Sequence, residues 1–510
     1  PLLPSPAGPF LPDSPETITV ERFEIVGSTV FSPEDLATVT RPFVGRPISL
    51  TELFEARSAV TQLYFDRGYI TSGALIPPQR LQGGVVQIQV IEGELEGIQV
   101  SGTNRLDSGY IRSRLAVAVG KPLNREHLLQ ALQLLQLDPL IATISADLTA
   151  GTRPGKSLLL VKVTEGKTFN ANLIYDNARS PSVGSDRRRI QLTEANLLGL
   201  GDSVSVGYTN TDGSDSLDMG YTLPISPYNS TLTLNYGSSS ARVIERPFNI
   251  LDILSSSRYY EVTLRQPLYR TPAQEFAFGI TGSYRESEAS FNILGERISF
   301  GARAANDGKL RVTALRLFQE WTDRNTEQVL AMRSQFSIGL ETLGSTLNPA
   351  PPDGRFFTWR GQAQYVRLLA PDTLLLLRSD LQVADRPLVG LEQFGIGGLD
   401  SVRGYRQDLL LLDNGFFGSA EVRVPLIRIP EVGALFQVVP FIDGGTGWNL
   451  ASGSDAQNSL VSVGLGLRLQ MSNLTARLEW GIPLISVNRE AKTWQENGLH
   501  FSIIYTPLSF

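Results

Sequence analysis

The sequence predicts a mainly β protein: a 16-stranded antiparallel transmembrane β-barrel preceded by two small α/β domains. Three observations carry this. From about Lys167 to Phe510, segments of roughly ten residues alternate apolar and polar side chains between clusters of Gly, Asn, Asp, Ser and Pro. Before them lies an internal repeat, in which Gly102 stands 75 residues after Gly27 and Gly120 stands 75 after Gly45. Reactive side chains are scarce, with no cysteine and only His127 and His500 as histidines.

That inventory excludes several functions. Without cysteine there is no disulfide and no thiolate metal site. The two histidines lie far apart, with no acidic or histidine partner at ligand spacing, so no metal, cofactor or catalytic site is expected. No glycine-rich stretch ends in the Gly-Lys-Ser/Thr of a phosphate loop. A net charge of −6 argues against nucleic acid as a partner. No apolar run of about 18 residues exists, so no transmembrane helix is expected. The chain starts at Pro1 without a methionine and reads as a processed or trimmed form.

Residues 1–17 are an arm holding six prolines (Pro1, Pro4, Pro6, Pro9, Pro12 and Pro15), either extended and polyproline-like or a tail without a role. The repeat follows. "FEIVGSTVFSPEDL" is echoed by "IQVSGTNRLDSGYI", and "GRPIS" by "GKPLN". Each unit reads as strand, short helix, longer helix, strand, strand. In the first, Ser32 caps a helix with Pro33 at its first position, and Ser49 with Glu52 forms a capping box. Leu53, Ala56, Val60 and Leu63 make an apolar stripe that ends at Gly68. In the second, Asn124 is the cap, Leu128, Ala131, Leu132 and Leu135 are the stripe, and Pro139 is the stop. The units span 18–94 and 95–166.

The barrel spans 167–510. In "LVSVGLGLRLQ", Val461, Val463, Leu465, Leu467 and Leu469 share one face, and Ser462, Gly464, Gly466, Arg468 and Gln470 share the other. One such strand also fits a soluble sandwich whose polar face is solvated. About sixteen in series with almost no helix fit a closed barrel with an aqueous lumen. Glu421, Arg423, Arg468, Arg477 and Glu479 are then lumen residues. One irregular stretch interrupts the series, "GGLDSVRGYRQD" at 397–408.

Three motifs carry a family resemblance. "GGLDSVRGY" ends in Val402, Arg403, Gly404 and Tyr405; "FIDGG" supplies Phe441, Asp443 and Gly445; "IPPQ" and "GGVVQIQVIEGE" lie within Ile76 to Glu94. With the repeat and barrel, the chain resembles a two-partner secretion outer-membrane transporter (TpsB; hemolysin activator/ShlB/FhaC type) of the POTRA-barrel superfamily. The resemblance implies an outer-membrane barrel with two periplasmic POTRA domains. It also implies a secreted unfolded TpsA-type client protein, contact with outer-membrane lipid, and a monomer. An assembly or insertion factor of the same superfamily is the alternative, although such factors usually carry more POTRA domains. A passive porin would not explain the repeat. Many relatives begin with a helix that plugs the pore. The proline-rich arm cannot form a long helix, so that plug is either lacking or was removed upstream of Pro1.

The resemblance folds loop six, about 386–413, into the lumen. Alternation sets Gln437, Val439, Phe441 and Asp443 on the inner face, so Arg403 can pair with Asp443. Gly404 would allow close backbone approach, and Tyr405 would pack against the wall near Phe441. Phe510 resembles the terminal aromatic signal for barrel insertion. For client contact, the "VVQIQV" strand is expected as an edge (Val86, Ile88, Val90), together with the helix face of Leu50, Leu53 and Phe54.

Overall fold

The computed structural model describes residues 17–293, 295–300, 307–451, 458–487 and 493–510. All of the predicted proline arm except Thr17 lies outside the described residues. The chain divides into two compact units, Pro1–Asn104 with Ser108–Glu165, and Arg105–Asp107 with Gly166–Phe510.

The first unit contains the two repeat modules. Module one has helices α1 (Pro33–Thr40) and α2 (Leu50–Asp66) and a sheet ordered Arg22–Val26, Val85–Ile91, Gly73–Leu75. Module two has α3 (Ser108–Val119) and α4 (Arg125–Gln136) and a sheet ordered Glu94–Ser101, Lys156–Glu165, Ile141–Ala150. In both, the last strand runs parallel to the first and antiparallel to the one before it.

Local sequence explains these helices. Ser32 and Asp35 close a capping box on α1, and Ser49 and Glu52 close one on α2. Asn124 accepts from the backbone N–H groups of Glu126 and His127 to start α4. Leu53, Ala56 and Val60 are buried as their stripe predicts, but Tyr64, not Leu63, completes the buried row. The Tyr64 hydroxyl donates to Glu92 (2.8 Å) and lies at hydrogen-bond distance from the Ser28 hydroxyl (2.7 Å), which allows a polar tip inside the core. In α4, Leu128, Ala131 and Leu135 are buried while Leu132 is only half-buried.

The sequence repeat is also a structural repeat. Gly27 and Gly102 both adopt positive φ (+86° and +87°). A Cβ would stand 2.5 Å from the Val90 carbonyl oxygen at the first and 2.1 Å from that of Val163 at the second. Two residues beyond each valine a carboxylate closes the turn: Glu92 accepts from Thr29 N–H at 2.7 Å, and Glu165 from Asn104 N–H at 2.6 Å.

The modules cluster as one unit because the start of α4 meets the end of α2. Asn124 Nδ2 donates to the Arg67 carbonyl (3.0 Å) and Arg125 N–H to the Gly68 carbonyl (2.9 Å). Orphan groups at both helix ends are thereby paired with each other.

The second unit is a closed barrel. Its strands run in sequence order from Phe169–Asp176 to Leu499–Ser509, each antiparallel to the next, and these first and last strands pair to close it. Among the described residues there are 16 strands around the wall, plus the short Glu296–Phe300, which pairs only with the end of Gln274–Ile293. The alternation sorts as expected. Leu465, Leu467, Leu478 and Trp480 are exposed on the outside, whereas Ser462 and Glu479 are buried inside. Exposed apolar side chains recur around the wall (Leu192, Leu234, Leu264, Met332, Ile503), a surface suited to lipid and not to water.

Candidate functional site

The site is built from six neighbouring elements of the barrel. They are loop six, which joins Thr373–Ala384 to Asn414–Ile429, and the strands Asn414–Ile429, Ala434–Trp448, Ser459–Gln470, Leu474–Pro483 and Leu499–Ser509. The loop carries its own two-strand ladder, Phe394–Ile396 with Leu410–Leu412. Between these short strands lies the "GGLDSVRGYRQD" turn.

Arg403 is the centre, at 1% exposure. Its Nε and Nη2 donate to the two Asp443 oxygens at 2.7 and 2.9 Å, a bidentate pair, and its backbone N–H donates to Asp443 at 3.1 Å. Nη1 donates to Glu421 (2.9 Å) and Glu479 (3.2 Å), and Nη2 to Ser419 (3.4 Å). The guanidinium also lies 3.6 Å from the centroid of the Phe441 ring. Ser419 completes the shell by donating to Asp443 at 2.6 Å.

The charges nearly balance. Three carboxylates (Asp443, Glu421, Glu479) face Arg403, and Arg423 holds the second Glu421 oxygen at 2.7 Å. A cation this deeply buried is stable only because its hydrogen-bonding capacity is filled by carboxylates. Removing Arg403 would leave Asp443 and Glu479 charged where little water can reach them.

Glycine lets the loop lie this close. Gly404 has φ +92°, and a Cβ there would lie 2.8 Å from the Gly481 carbonyl oxygen. Its N–H donates to His500 Nε2 at 3.0 Å. At Gly445 a Cβ would lie 2.7 Å from Ile396 Cγ2 and 3.2 Å from Val402 Cγ2, so a side chain on the wall would push the loop away.

Tyr405 packs against the wall as expected, but among residues other than Phe441. It packs with Phe394, Ile396, Val402, Leu412, Phe417 and Leu460, and its hydroxyl donates to the Val461 carbonyl at 2.8 Å, with the Ile485 carbonyl 3.0 Å away. Phe441 is instead the aromatic surface beneath Arg403. A guanidinium stacked on the ring occupies the face expected for tyrosine.

With that geometry established, comparison with known proteins decides the family. The family described as haemolysin secretion/activation protein ShlB/FhaC/HecB matches residues 155–469, more than half of the chain, and the ShlB-type POTRA domain matches 18–93. The chain belongs to the ShlB/FhaC/HecB family. Among its relatives, the outer membrane transporter CdiB of Dickeya dadantii is 24% identical over 91% of this chain and 83% of its own length. The hemolysin transporter protein ShlB of Serratia marcescens is 24% identical over 92% and 83%. The solved structure of CdiB from Escherichia coli superposes with a TM-score of 0.71 at 21% identity, covering 100% of this chain and 93% of that one, and shows the same fold. As a family member the chain is a two-partner secretion transporter of the outer membrane, with its POTRA domains in the periplasm.

Placed in this ShlB-type frame, the sequence-derived site residues divide. Val402, Arg403, Gly404, Tyr405, Phe441, Asp443 and Gly445 come together at the loop–wall contact. Glu421 and Glu479 read as lumen residues from alternation, but their shared role as Arg403 partners did not. His500 went unassigned, although its alternation with Ser502 placed it on the inner face. Phe510 lies at the barrel closure: its carbonyl accepts from Thr168 and Phe169 N–H at 2.9 Å, and its ring stacks on Phe169 at 4.9 Å.

The expected client contacts need correction. Val85–Ile91 is the middle strand of its sheet: Arg22–Val26 covers Val85–Gln89 on one side, and on the other Gly73–Leu75 covers Gln89–Ile91 while Gln79 and Gln82 bond the backbone of Gln87 and Val85, so "VVQIQV" offers no free edge. Val86, Ile88, Val90 and Leu53 are buried core residues. The parallel partner that covers this strand comes from Arg22–Val26, about sixty residues earlier, and local alternation carries no sign of it. Leu50 and Phe54 are exposed, at 58% and 47%, and Phe65 joins them at 52%.

Proposed function

We propose that this transporter receives an unfolded, secreted TpsA-type partner on its POTRA domains and passes it outward through the barrel lumen, acting as a monomer. The observation that carries the reading is the charged, water-accessible lumen beside loop six. One cavity of about 630 Å³ and another of about 480 Å³ share Arg265, Glu320, Arg333 and Arg360 in their linings. Charges of both signs solvate an extended backbone without binding apolar side chains tightly. The matched family is that of secretion transporters, which favours this reading over an assembly factor.

The proposal assigns POTRA domains to 18–94 and 95–166 and the barrel to 167–510, with loop six at about 386–413. Arg403 and Asp443 clamp the loop in the lumen, and Phe510 is the recognition signal for barrel insertion. Client contact moves to the outer face of α2. Leu50, Phe54 and Phe65 fall on one helical stripe about 22 Å long, long enough for a short extended segment of client with apolar side chains.

The test is secretion of the co-expressed partner by Leu50→Ser/Phe54→Ser/Phe65→Ser. These side chains are exposed, so the chain still folds and inserts, while secretion falls by about tenfold. Undiminished secretion would contradict α2 as the docking face. General loss of other barrel proteins in cells lacking the transporter would contradict export as its task.

A further inference from the structure

A second ionic contact holds loop six, away from the Arg403 centre. Glu392, 8% exposed, lies on the limb that rises from Thr373–Ala384. Its carboxylate accepts from Arg316 Nη2 at 2.7 Å and Arg285 Nη1 at 3.5 Å. Arg316 belongs to Lys309–Arg324 and Arg285 to Gln274–Ile293. Neither strand pairs with those that hold Arg403. Leu388 and Val389 of the same limb pack with Val312, Ala314 and Phe356, whereas Ile396, Val402 and Tyr405 pack in a separate cluster with Phe417 and Leu460.

The two attachments differ in strength. Arg403 makes side-chain contacts to three carboxylates, and its backbone and that of Gly404 are held as well. Glu392 accepts both arginines on one oxygen, Oε1, and the backbone of its limb is held by two carbonyl contacts, Gln382 Nε2 to Glu392 at 3.0 Å and Arg285 Nη1 to Leu391 at 3.3 Å. It also lines the 480 Å³ lumen cavity, so water can replace its partners when it moves. Arg316 remains hydrogen-bonded to Ser283 and Ser337 without it, and Arg285 to Glu261. Breaking the Glu392 contact leaves Arg285 paired with Glu261 and leaves one cation, Arg316, on two serines at the lumen cavity, where water can reach it, whereas breaking the Arg403 contact leaves Asp443 and Glu479 without a cation.

We infer that Glu392 is a positioning residue of loop six: it ties the rising limb across the lumen to Arg316 and Arg285, and it is the contact that releases when the pore opens while Arg403 stays pinned as the pivot. This rests on the reading of the lumen as the export path. It explains how one loop can be both clamped and movable.

The test uses the full-length protein in planar lipid bilayers, with potassium chloride current as the readout, so it needs no client. Glu392→Gln raises the ratio of open to closed time by about tenfold. Arg316→Gln acts in the same direction, and the double variant opens no further than the more open single. Since the chain has no cysteine, single reporters then map the motion by maleimide labelling. In the Glu392→Gln background, Leu388→Cys becomes reactive while Val402→Cys stays protected. Ile396→Cys, from the same cluster as Val402, serves if Val402→Cys does not fold. Unchanged gating in Glu392→Gln overturns the inference, as does labelling at Val402 or Ile396 together with Leu388. Failure of client export alone would leave these currents untouched and would count against the proposed function instead.

Discussion

At the residue scale, alternation turned Asp443 inward, and the family resemblance, not the pattern, brought loop six and Arg403 into the lumen to meet it. Asp443 faced inward on its strand, and an arginine in a glycine-rich loop was available to meet it. What the linear pattern did not contain was the number of partners. Glu421 lies 18 residues from Arg403 and Glu479 lies 76 away, and only strand register brings them to one point. The consequence is quantitative. Arg403→Ala leaves buried Asp443 and Glu479 without a cation and Glu421 with Arg423 alone, and should destabilise the loop–wall contact by roughly 3–5 kcal/mol, seen as protease cleavage within loop six of an intact barrel. Exchanging the charges of Arg403 and Asp443 restores protection only in part, because Glu421 and Glu479 then face an aspartate. Full restoration would show that these two glutamates do not share the arginine. A second residue-level prediction concerns Glu92. Burial raises its pKa, but hydrogen bonds from Thr29, Tyr64 and Val30 outweigh that and hold it below the ordinary carboxylate value. Its stabilisation is therefore complete above the ordinary value and is lost as pH falls through the lowered one. Protease resistance of the first POTRA domain should drop on acidification, and Glu92→Gln should remove that part of the pH dependence.

At the scale of elements, α2 separates what periodicity can and cannot reveal. Its caps, length and inner stripe as far as Val60 were legible because they depend on neighbours within a turn or two, while Tyr64 took the place expected for Leu63. The tasks of its two faces were not, since exposure is decided by the sheet against which the helix packs. Leu53 and Phe54 are adjacent in sequence and opposite in consequence. Leu53→Ala should cost about 2–5 kcal/mol, read as loss of protease resistance in the periplasmic part of the full chain. Phe54→Ser should leave that resistance within about 0.5 kcal/mol of the parent and lower secretion. The central strand Val85–Ile91 teaches the same lesson. Alternation identified it as a strand, but parallel pairing with a distant segment decided that it has no free edge. Ser49→Ala opens the capping box of α2 and should cost about 1 kcal/mol by the same protease measurement.

At the scale of the whole molecule, the barrel was the most legible feature, because a repeated two-residue period over more than three hundred residues leaves few other closed arrangements. The contacts of loop six were less so, because a loop has no period. The proposed export through this lumen has no nucleotide motif to drive it, and folding of the client outside the cell would supply direction by withdrawing chain from the pore. A partner unable to fold should therefore stall in transit. The stalled complex gives the most direct test of the route. With a photoactivatable crosslinker on single cysteines, Arg333→Cys, which lines both lumen cavities, should capture the stalled partner, and Leu467→Cys on the outer wall should not. Capture at the outer wall with none in the lumen would contradict passage through the barrel.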